Sequence, residues 1–336
     1  MFLVVADKNH DWFRNTKKRY ITMKANSVAV VAGLLAGPAS AKLLDVFPRL
    51  ISYNIRWAVP SPSPPEPAWA ERLPKLRSQL NFETAGRPET LLCMQEVIAS
   101  QLQDVREALG EESWDSIGVG RDDGVDKGEF SPIFYRPDTW ELESNTTYWL
   151  SETPEDIGSV GWDAALPRVV TVGQFKHRRS GLPFVYMCTH FDHVGVVARE
   201  ESAKLLVKLA REYAESTAEE GEEPTPVFLG GDLNITPDNP AYLEMIAEGN
   251  FDDVRDVIDK SRIHGHFGTF TGFDWNGEDE LGRIDHIFRW RQVRDLDLLT
   301  YGVIENRFDD KLWISDHRAV VVDTHFVVNK TCTPRR

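Results

Sequence analysis

The sequence Val227-Phe228-Leu229-Gly230-Gly231-Asp232-Leu233-Asn234 joins an apolar run directly to a polar end. Its first three residues have the composition of a buried β-strand. The two glycines permit close approach of another backbone or a ligand. Asp232 and Asn234 are two positions apart, so their side chains point to the same side if the strand continues. The segment therefore predicts a core strand that ends in polar groups suited to ligating or orienting water.

Similar apolar runs recur along the chain, each bounded by polar or turn residues. They span residues 50–55, 91–94, 133–135, 169–175, 184–188, 284–288 and 319–328. Short runs of this kind are typical of buried strands. Patterns with helical spacing of apolar residues lie between several of them, at residues 70–80, 100–109, 197–213 and 240–248. The mixture predicts an α/β protein with large central sheets in one domain, from about residue 44 to residue 329.

Several of these runs are followed, or in one case preceded, by residues suited to metal or phosphate chemistry. The polar groups are Asn54-Ile55-Arg56, Gln95-Glu96, Thr189-His190-Phe191-Asp192-His193, Arg283-Ile284-Asp285-His286 and Ser315-Asp316-His317. Sheets of α/β proteins commonly place their sites at strand ends. Each group alone has an ordinary explanation: a single Glu after a strand is usually a surface residue, and a His and Asp cluster is equally a zinc site or a structural hydrogen-bond cluster.

Taken together and in this order, the polar groups resemble the endonuclease/exonuclease/phosphatase superfamily. The resemblance extends from Asn54 to His317 and is strongest at Gln95-Glu96, Thr189-His190, Gly231-Asp232-Leu233-Asn234 and Ser315-Asp316-His317. Residues 118–124 and 189–199 look like those of an uncharacterised secreted branch found in fungi and bacteria. The resemblance implies a four-layer α/β sandwich, in which two packed, mainly antiparallel β-sheets are flanked by helices and the site lies at one end.

The resemblance also implies a bound Mg²⁺ or Mn²⁺ ion. Glu96 would hold the metal with help from Asn54 and Asp316, and oxygen ligands suit such hard cations. The three cysteines would then take no part in the chemistry.

The remaining residues of the resemblance would act on the substrate and on water. Asp232 and Asn234 would position and deprotonate the attacking water. His190 and His317 would donate hydrogen bonds to the phosphoryl oxygens, and Asp285 would hold the ring of His317. These residue types agree with the chemistry, because in-line attack on phosphorus gathers negative charge that a cation and imidazole donors stabilise.

Arginine and aromatic residues near these positions are further candidates. Arg121 and Arg199 are predicted to contact the substrate phosphate, and Arg168 is a third candidate; the alternative for all three is pairing with the many acidic side chains. The aromatic candidates form either a substrate wall or part of the core; they are Trp149, Trp162 and Phe273. His193 and His286 adjoin catalytic positions and have no role in the predicted mechanism.

Charge limits the class of substrate. The formal net charge is −15, and removing residues 1–41 takes away six basic and two acidic residues, which leaves 32 basic and 51 acidic residues, or −19. A surface this negative opposes tight binding of duplex DNA, whose affinity depends on neutralised phosphates. The expected partner is therefore a small phosphate ester, with single-stranded nucleic acid as a further candidate. No protein partner is predicted.

Residues 1–41 are predicted to be an N-terminal extension with a signal peptide, and residues 42–336 the catalytic domain. Lys24 precedes an apolar stretch at residues 28–36, and Ala39-Ser40-Ala41 has the small-residue pattern of a cleavage site. The basic segment before Met23 is atypical of a signal peptide, so translation starting at Met23 is one alternative and a short buried helix is another. We expect a secreted protein without an integral membrane segment in its mature chain; an intracellular protein is the alternative.

The chain has three cysteines, and the sequence predicts no disulfide framework. Cys93 and Cys188 lie in apolar runs, where cysteine usually acts as a small hydrophobic residue.

The sequence thus predicts a divalent-metal-dependent phosphoesterase that hydrolyses a P–O bond of a phosphodiester or phosphomonoester by attack of activated water. One alternative is a nuclease, such as a 3′-5′ RNA exonuclease of the deadenylase type. Another is a catalytically inactive binding module on the same fold.

Overall fold

Two β-sheets packed against each other form the centre of the fold in the computed structural model, which describes residues 41–216, 224–277, 281–292 and 296–331. The first sheet contains β1 (Ala41–Val46), β2 (Arg49–Asn54), β3 (Thr90–Gln95), β4 (Asp115–Ile117), β5 (Ile133–Tyr135), β11 (Ile263–Gly265), β13 (Leu296–Val303) and β14 (Val320–Thr331). The second contains β6 (Trp140–Trp149), β7 (Val169–His177), β8 (Pro183–His190), β9 (Val227–Asp232), β10 (Phe251–Asp253) and β12 (Asp285–Trp290).

Helices lie on the outer faces of the sheets. They are α1 (Trp69–Thr84), α2 (Ala99–Leu109), α3 (Val196–Ser216), α4 (Pro240–Met245) and α5 (Val254–Val257), followed by a 3₁₀ turn at Lys260–Arg262. Side-chain alternation explains the layers: Leu91 of β3 faces the core between the sheets, whereas Leu92 packs with Leu76 and Leu80 of α1. Helix α3 contacts β9 and β12 of the second sheet. The predicted four-layer α/β sandwich is confirmed.

The strand order is β11-β13-β14-β2-β3-β5-β4 in the first sheet, with β1 paired to β14, and β10-β12-β9-β8-β7-β6 in the second. The pairs β2–β3, β8–β9 and β11–β13 are parallel and the others are antiparallel. Register brings polar strand ends together: Asn54 lies beside Gln95, and Asp232 lies between His190 and Asp285. The register of the strands therefore assembles groups that are far apart in the sequence.

The eight apolar runs all correspond to strands, and the four helical patterns correspond to α1, α2, α3 and α4. The strands that the sequence did not reveal are β1, β4, β6, β10, β11 and β13. β4, β10 and β11 contain only three residues each. β6 (WELESNTTYW) is rich in polar residues, and eight of its ten residues are exposed or half-buried, because it lies at the edge of its sheet. Strands of these kinds lack the apolar run that marks a buried strand.

A disulfide joins the two sheets. Cys93 of β3 and Cys188 of β8 are bonded, with their Cα atoms 5.3 Å apart, and both side chains are fully buried. The interpretation of these residues as small hydrophobic side chains outside any disulfide is wrong. Periodicity within one strand cannot reveal the pairing, because the partner arrives from the other sheet after 95 further residues. Cys332 lies outside the described residues.

The predicted signal peptide cannot be placed on the fold, because residues 1–40 lie outside the described residues. The division at residue 41 and the export signal therefore stay predictions. Among the helices of the described part of the chain, none combines the length and the apolar character needed to cross a membrane.

A buried ion network ties β10 to β12. Asp253 accepts hydrogen bonds from Arg283 and from the hydroxyl of Tyr242 (3.0 Å), and Nδ1 of His286 lies 3.0 Å from both Oδ2 of Asp253 and Nη1 of Arg283. Nε2 of His286 donates to the carbonyl oxygen of Ile235 over 3.1 Å. Burial raises the pKa of Asp253, but His286 and Arg283 outweigh it and lower that pKa to about 2. The network therefore anchors the chain just after β9.

Removing the covalent link between the sheets should destabilise the protein. Because a disulfide restricts the unfolded chain, the double variant Cys93→Ala/Cys188→Ala should lose about 2–5 kcal/mol of unfolding free energy in urea. As a control, a reducing agent should lower the urea midpoint of the wild type and leave that of the double variant unchanged. A wild-type midpoint insensitive to complete reduction would contradict the assignment.

Asp253→Asn should also destabilise the protein, because it leaves the charge of Arg283 buried without a carboxylate. We expect a loss of about 3–5 kcal/mol. The control is Asp252→Asn on the same strand, which removes partly exposed ion pairs and should cost about 0–1 kcal/mol. The contribution of Asp253 should be complete above about pH 4, its usual pKa when unfolded, and should be lost as the pH falls toward 2. Equal losses in the two variants would contradict the expected difference.

Candidate active site

Side chains at one end of the two sheets line a cavity of about 420 Å³. Those able to titrate or to bind a metal or a phosphate include Glu96, Glu129, Arg168, His190, Asp232, Asn234, Asp316 and His317. Four of these eight lie at or just after the end of a strand (Glu96, His190, Asp232 and Asn234), while Arg168, Asp316 and His317 lie shortly before one. A few hundred cubic ångströms is the usual size of a small-molecule site.

Asp232, the last residue of β9, is the centre of the site. Its Oδ2 accepts a hydrogen bond from Nδ2 of Asn54 (2.9 Å) and lies 3.5 Å from Nε2 of His190 and 3.6 Å from Nε2 of His317. Its Oδ1 accepts a hydrogen bond from the backbone N–H of Asn234 over 2.9 Å. Burial and the neighbouring Asp285 raise the pKa of Asp232 to about 7. A fully buried carboxylate thus lies between two imidazoles.

His317 is held by Asp285, the first residue of β12. Nδ1 of His317 lies 2.9 Å from Oδ2 of Asp285, and the backbone N–H of Asp285 donates to Oγ1 of Thr269 over 3.0 Å. Because a carboxylate only accepts, Nδ1 carries a proton. Burial lowers the pKa of His317, but Asp285 and Asp232 outweigh it and raise that pKa well above the ordinary value. The carboxylates around His317 therefore favour its protonated form.

The pKa of His190 is shifted in the opposite direction. Its Nε2 lies 3.2 Å from Nδ2 of Asn234, and its Nδ1 lies 3.7 Å from Oε2 of Glu129. Burial and the positive charges of Arg168 and Arg121 lower the pKa of His190 well below its ordinary value. The surroundings of the two histidines thus shift their pKa values in opposite directions.

Glu96 adds a second carboxylate beside Asp232. It follows β3 with a positive φ of 59°, and its Oε1 accepts a hydrogen bond from Nδ2 of Asn54 over 3.0 Å. One ligand atom each from Glu96, Asp232 and His317 lie within 4.8 Å of one another. Burial raises the pKa of the nearby Asp316, and the charge of Glu96 adds to this while His317 opposes it. Crowded, buried carboxylates fit a divalent cation, whose charge would stabilise their ionised forms.

The model of the Endonuclease/Exonuclease/phosphatase family matches residues 51–317. This range contains the whole of the cavity described above. The chain belongs to the endonuclease/exonuclease/phosphatase family. Members of this family are hydrolases that act on phosphoester bonds.

Solved structures of related proteins share the fold over most of the chain. An endonuclease/exonuclease/phosphatase family protein from Bacteroides thetaiotaomicron is 34% identical, with 84% of this chain and 99% of that chain covered and a TM-score of 0.73. A mannosyl-6-phosphatase from B. thetaiotaomicron VPI-5482 is 35% identical, with coverages of 82% and 98% and a TM-score of 0.71. D. rerio TDP2 complexed with a single-strand DNA product is 18% identical, with coverages of 83% and 98% and a TM-score of 0.60, and shows the fold alone. A search of curated proteins found no match.

Most of the residues that the sequence predicted for the site of this endonuclease/exonuclease/phosphatase family protein lie together in the structure. The cavity collects Glu96, His190, Asp232, Asn234, Asp316 and His317, and Asp285 lies directly behind His317. Asn54 also lies in this group, but its Nδ2 donates to Glu96 and Asp232 and its Oδ1 accepts from the backbone N–H of Arg56. The structure therefore shows Asn54 as a bridge between two carboxylates.

Arg121 and Arg199 do not line the cavity. Arg121 forms a two-point ion pair with Glu129, with N–O distances of 2.8 and 3.0 Å, and Arg199 donates to the carbonyl oxygen of Asp192 over 3.0 Å. For Arg121 the structure shows the pairing with an acidic side chain that the sequence left open, whereas Arg199 bonds to a backbone carbonyl oxygen. Among the three arginines considered, Arg168 is the one that lines the cavity.

The predicted aromatic wall is not part of the cavity either. The indole N–H of Trp149 donates to the carbonyl oxygen of Arg121, so this buried ring belongs to the core. Trp162 and Phe273 are half-buried outside the cavity lining.

Sequence reasoning missed Glu129, Phe270 and Leu166, which all line the cavity. Glu129 lies in the loop between β4 and β5, and Phe270 and Leu166 lie in other loops. The strand-end rule that found the other residues does not apply to loops. Gly120 and Gly124 indicate an irregular loop before Glu129, but they do not indicate which side chain of that loop lines the cavity.

Asp285→Asn should lower kcat for phosphoester hydrolysis by about 100-fold, because His317 loses the carboxylate that holds its ring and its charge. Asp285 raises the pKa of His317, so without it the donor should lose its proton at lower pH. The alkaline limb of the pH–rate profile should therefore move to lower pH. The measurement is kcat against pH for the variant and the wild type.

Asp297→Asn is the matched control, since Asp297 pairs with His325 at an exposed position away from the cavity. Its profile should match that of the wild type. If Asp285→Asn kept the wild-type alkaline limb, the role given to Asp285 would be wrong.

Proposed function

We propose that the protein hydrolyses a P–O bond of a small phosphate ester with the help of Mg²⁺ or Mn²⁺ and an activated water molecule. The observation that carries this proposal is the convergence of Glu96, Asp232 and His317 on one cavity, with Asp285 behind His317 and His190 on the other side of Asp232. The set combines carboxylate oxygens for a hard cation with imidazole donors for a phosphoryl group.

The metal would be held by Glu96 and Asp316. Asn54 and Asp232 lie beside Glu96, since Nδ2 of Asn54 donates to both carboxylates. When bound, the cation would stabilise negative charge on the phosphoryl oxygens and on the attacking oxygen. Metal dependence is thus a property that the donor set supports and that a chelator would test.

The chain's own residues would orient water and the phosphoryl group. Asp232 accepts the proton of the attacking water, and Asn234 fixes the direction of that water. His317, protonated at both ring nitrogens, donates from Nε2 to a phosphoryl oxygen. A bond then forms between the water oxygen and phosphorus, the bond from phosphorus to the alcohol oxygen breaks, and that oxygen takes a proton from solvent to leave as the alcohol.

The relatives support a small substrate. The mannosyl-6-phosphatase is 35% identical over 98% of its own length, whereas TDP2, whose structure holds single-strand DNA, is 18% identical. The cavity of about 420 Å³ has the volume of a small-molecule site. The strongly acidic chain agrees with this, because it disfavours long polyanions. We therefore favour a phosphomonoester over a nucleic-acid strand.

We also propose that the protein is exported. The small-residue pattern at Ala39-Ser40-Ala41 supports this, and so does the disulfide between Cys93 and Cys188, because disulfides persist in oxidising compartments.

Glu96→Gln should lower kcat/KM by about 100-fold or more, because it removes a metal-binding charge while keeping the size of the side chain. The assay would follow hydrolysis of p-nitrophenyl phosphate and bis(p-nitrophenyl) phosphate with Mg²⁺, with Mn²⁺ and with EDTA. EDTA should abolish activity, and added metal should restore it.

Glu141→Gln is the matched control, because Glu141 is an exposed carboxylate that pairs with Arg178 in the edge region of the second sheet. It should keep wild-type kinetics. Full activity in EDTA, or in Glu96→Gln, would overturn the proposed metal site. A comparison of the two substrates would report whether the enzyme prefers a monoester or a diester.

A further inference from the structure

One wall of the cavity is formed by Arg168 and His193, which the proposed reaction does not use. Arg168 directly precedes β7 and His193 lies three residues beyond β8, and these strands are neighbours. Nη2 of Arg168 lies 3.0 Å from Nδ1 of His193, and Nε lies 3.4 Å from Oδ2 of Asp192. Arg168 is 5% exposed, and its Nη1 has no hydrogen-bond partner in the described part of the chain. The wall thus combines a buried cation with an exposed imidazole.

The contact with Arg168 decides which nitrogen of His193 carries the proton. A guanidinium has donors and no acceptor, so Nδ1 of His193 must accept. The proton of the neutral ring then lies on Nε2. His193 can therefore offer a bound molecule one N–H donor in a fixed tautomer.

The charges beside this donor cancel. Burial raises the pKa of Asp192, but backbone hydrogen bonds from Gly195 and Val194 outweigh this and lower that pKa to about 2. Asp192 is therefore an anion beside Arg168. Arg121 and Glu129 form their own ion pair next to them. A wall with donors but little net charge suits a neutral acceptor oxygen better than a second anionic group.

Apolar surface lies in the same cavity. Phe270 is 42% exposed and its ring lies 4.9 Å from the ring of His317, measured between centroids. Leu166 is 40% exposed and belongs to the loop that leads to Arg168. A sugar presents C–H groups on its ring faces and hydroxyl oxygens at its edge, and this cavity offers an aromatic face and a polar donor.

We propose that Arg168 and His193 form a subsite that binds a hydroxyl group of a sugar phosphate, with Nε2–H of His193 as the contacting donor and Arg168 as a positioning residue. The inference rests on the proposed phosphoesterase function and names its substrate class. It places the phosphate at the metal end of the cavity and the sugar hydroxyl at the Arg168–His193 wall.

The test compares mannose 6-phosphate with phenyl phosphate, which has no hydroxyl group to bind. His193→Leu should lower kcat/KM for mannose 6-phosphate by about 10-fold, mainly through KM, because one hydrogen bond is lost. Its kcat/KM for phenyl phosphate should stay within about twofold of the wild-type value. His193→Gln keeps a side-chain N–H and should recover most of the loss.

His264→Leu is the matched control, since His264 is an exposed histidine of β11 outside the cavity, and it should leave both substrates unaffected. Arg168→Met tests the positioning role. If Arg168 acts through His193, Arg168→Met should also lose about 10-fold on mannose 6-phosphate, and the double variant Arg168→Met/His193→Leu should lose no more than either single variant. Urea midpoints would check that each variant folds. Losses that multiply in the double variant would overturn the positioning role.

The outcomes separate this inference from the proposed function. If the wild type hydrolysed neither ester in the presence of Mg²⁺ or Mn²⁺, the proposed function would fail. If the wild type hydrolysed both esters but His193→Leu changed neither, or reduced both equally, only the subsite would be overturned. A larger loss on a single-stranded oligonucleotide than on mannose 6-phosphate would also overturn the assignment to a sugar.

Discussion

The pairing of β9 with β8 on one side and β12 on the other is the constraint on which the whole site depends. It sets Asp232 beside His190 and opposite Asp285, and the strand ends of the first sheet then supply Asn54 and its partner Glu96. A slip of one residue in β9 would turn Asp232 toward the other face of the sheet. The apolar residues that fix this register are therefore as necessary to the site as its polar groups.

Electrostatics gives the assembled groups different properties. Burial lowers the pKa of both histidines, yet the carboxylates of Asp285 and Asp232 raise that of His317 above its ordinary value, whereas Arg168 and Arg121 lower that of His190 further. This difference between the two pKa values requires a low dielectric around both rings, since exposed charges would be screened. One cavity therefore holds two imidazoles whose pKa values are shifted apart, the pattern by which one site can supply groups of different acidity.

The sequence was sufficient for the layers and for bringing most of the candidate site residues together, because buried strands leave continuous apolar runs and the candidates lie next to the ends of those runs. Asp232 follows one run, and His317 precedes another. Pairs of side chains that are brought together only by the fold could not be predicted. The bond between Cys93 and Cys188 joins the two sheets, and the ion pair of Arg121 with Glu129 forms inside an irregular loop. Polar edge strands such as β6 could not be predicted for a different reason, because they contain no apolar run.

The disulfide has a consequence for how the site can move. Each sheet contributes part of the catalytic group, and Cys93 and Cys188 lie three and two residues before Glu96 and His190, respectively. A covalent bond at this depth prevents the sheets from sliding or separating beneath the cavity. Any opening and closing around a substrate is then left to the loops that surround the cavity, while the strand ends beneath it stay fixed.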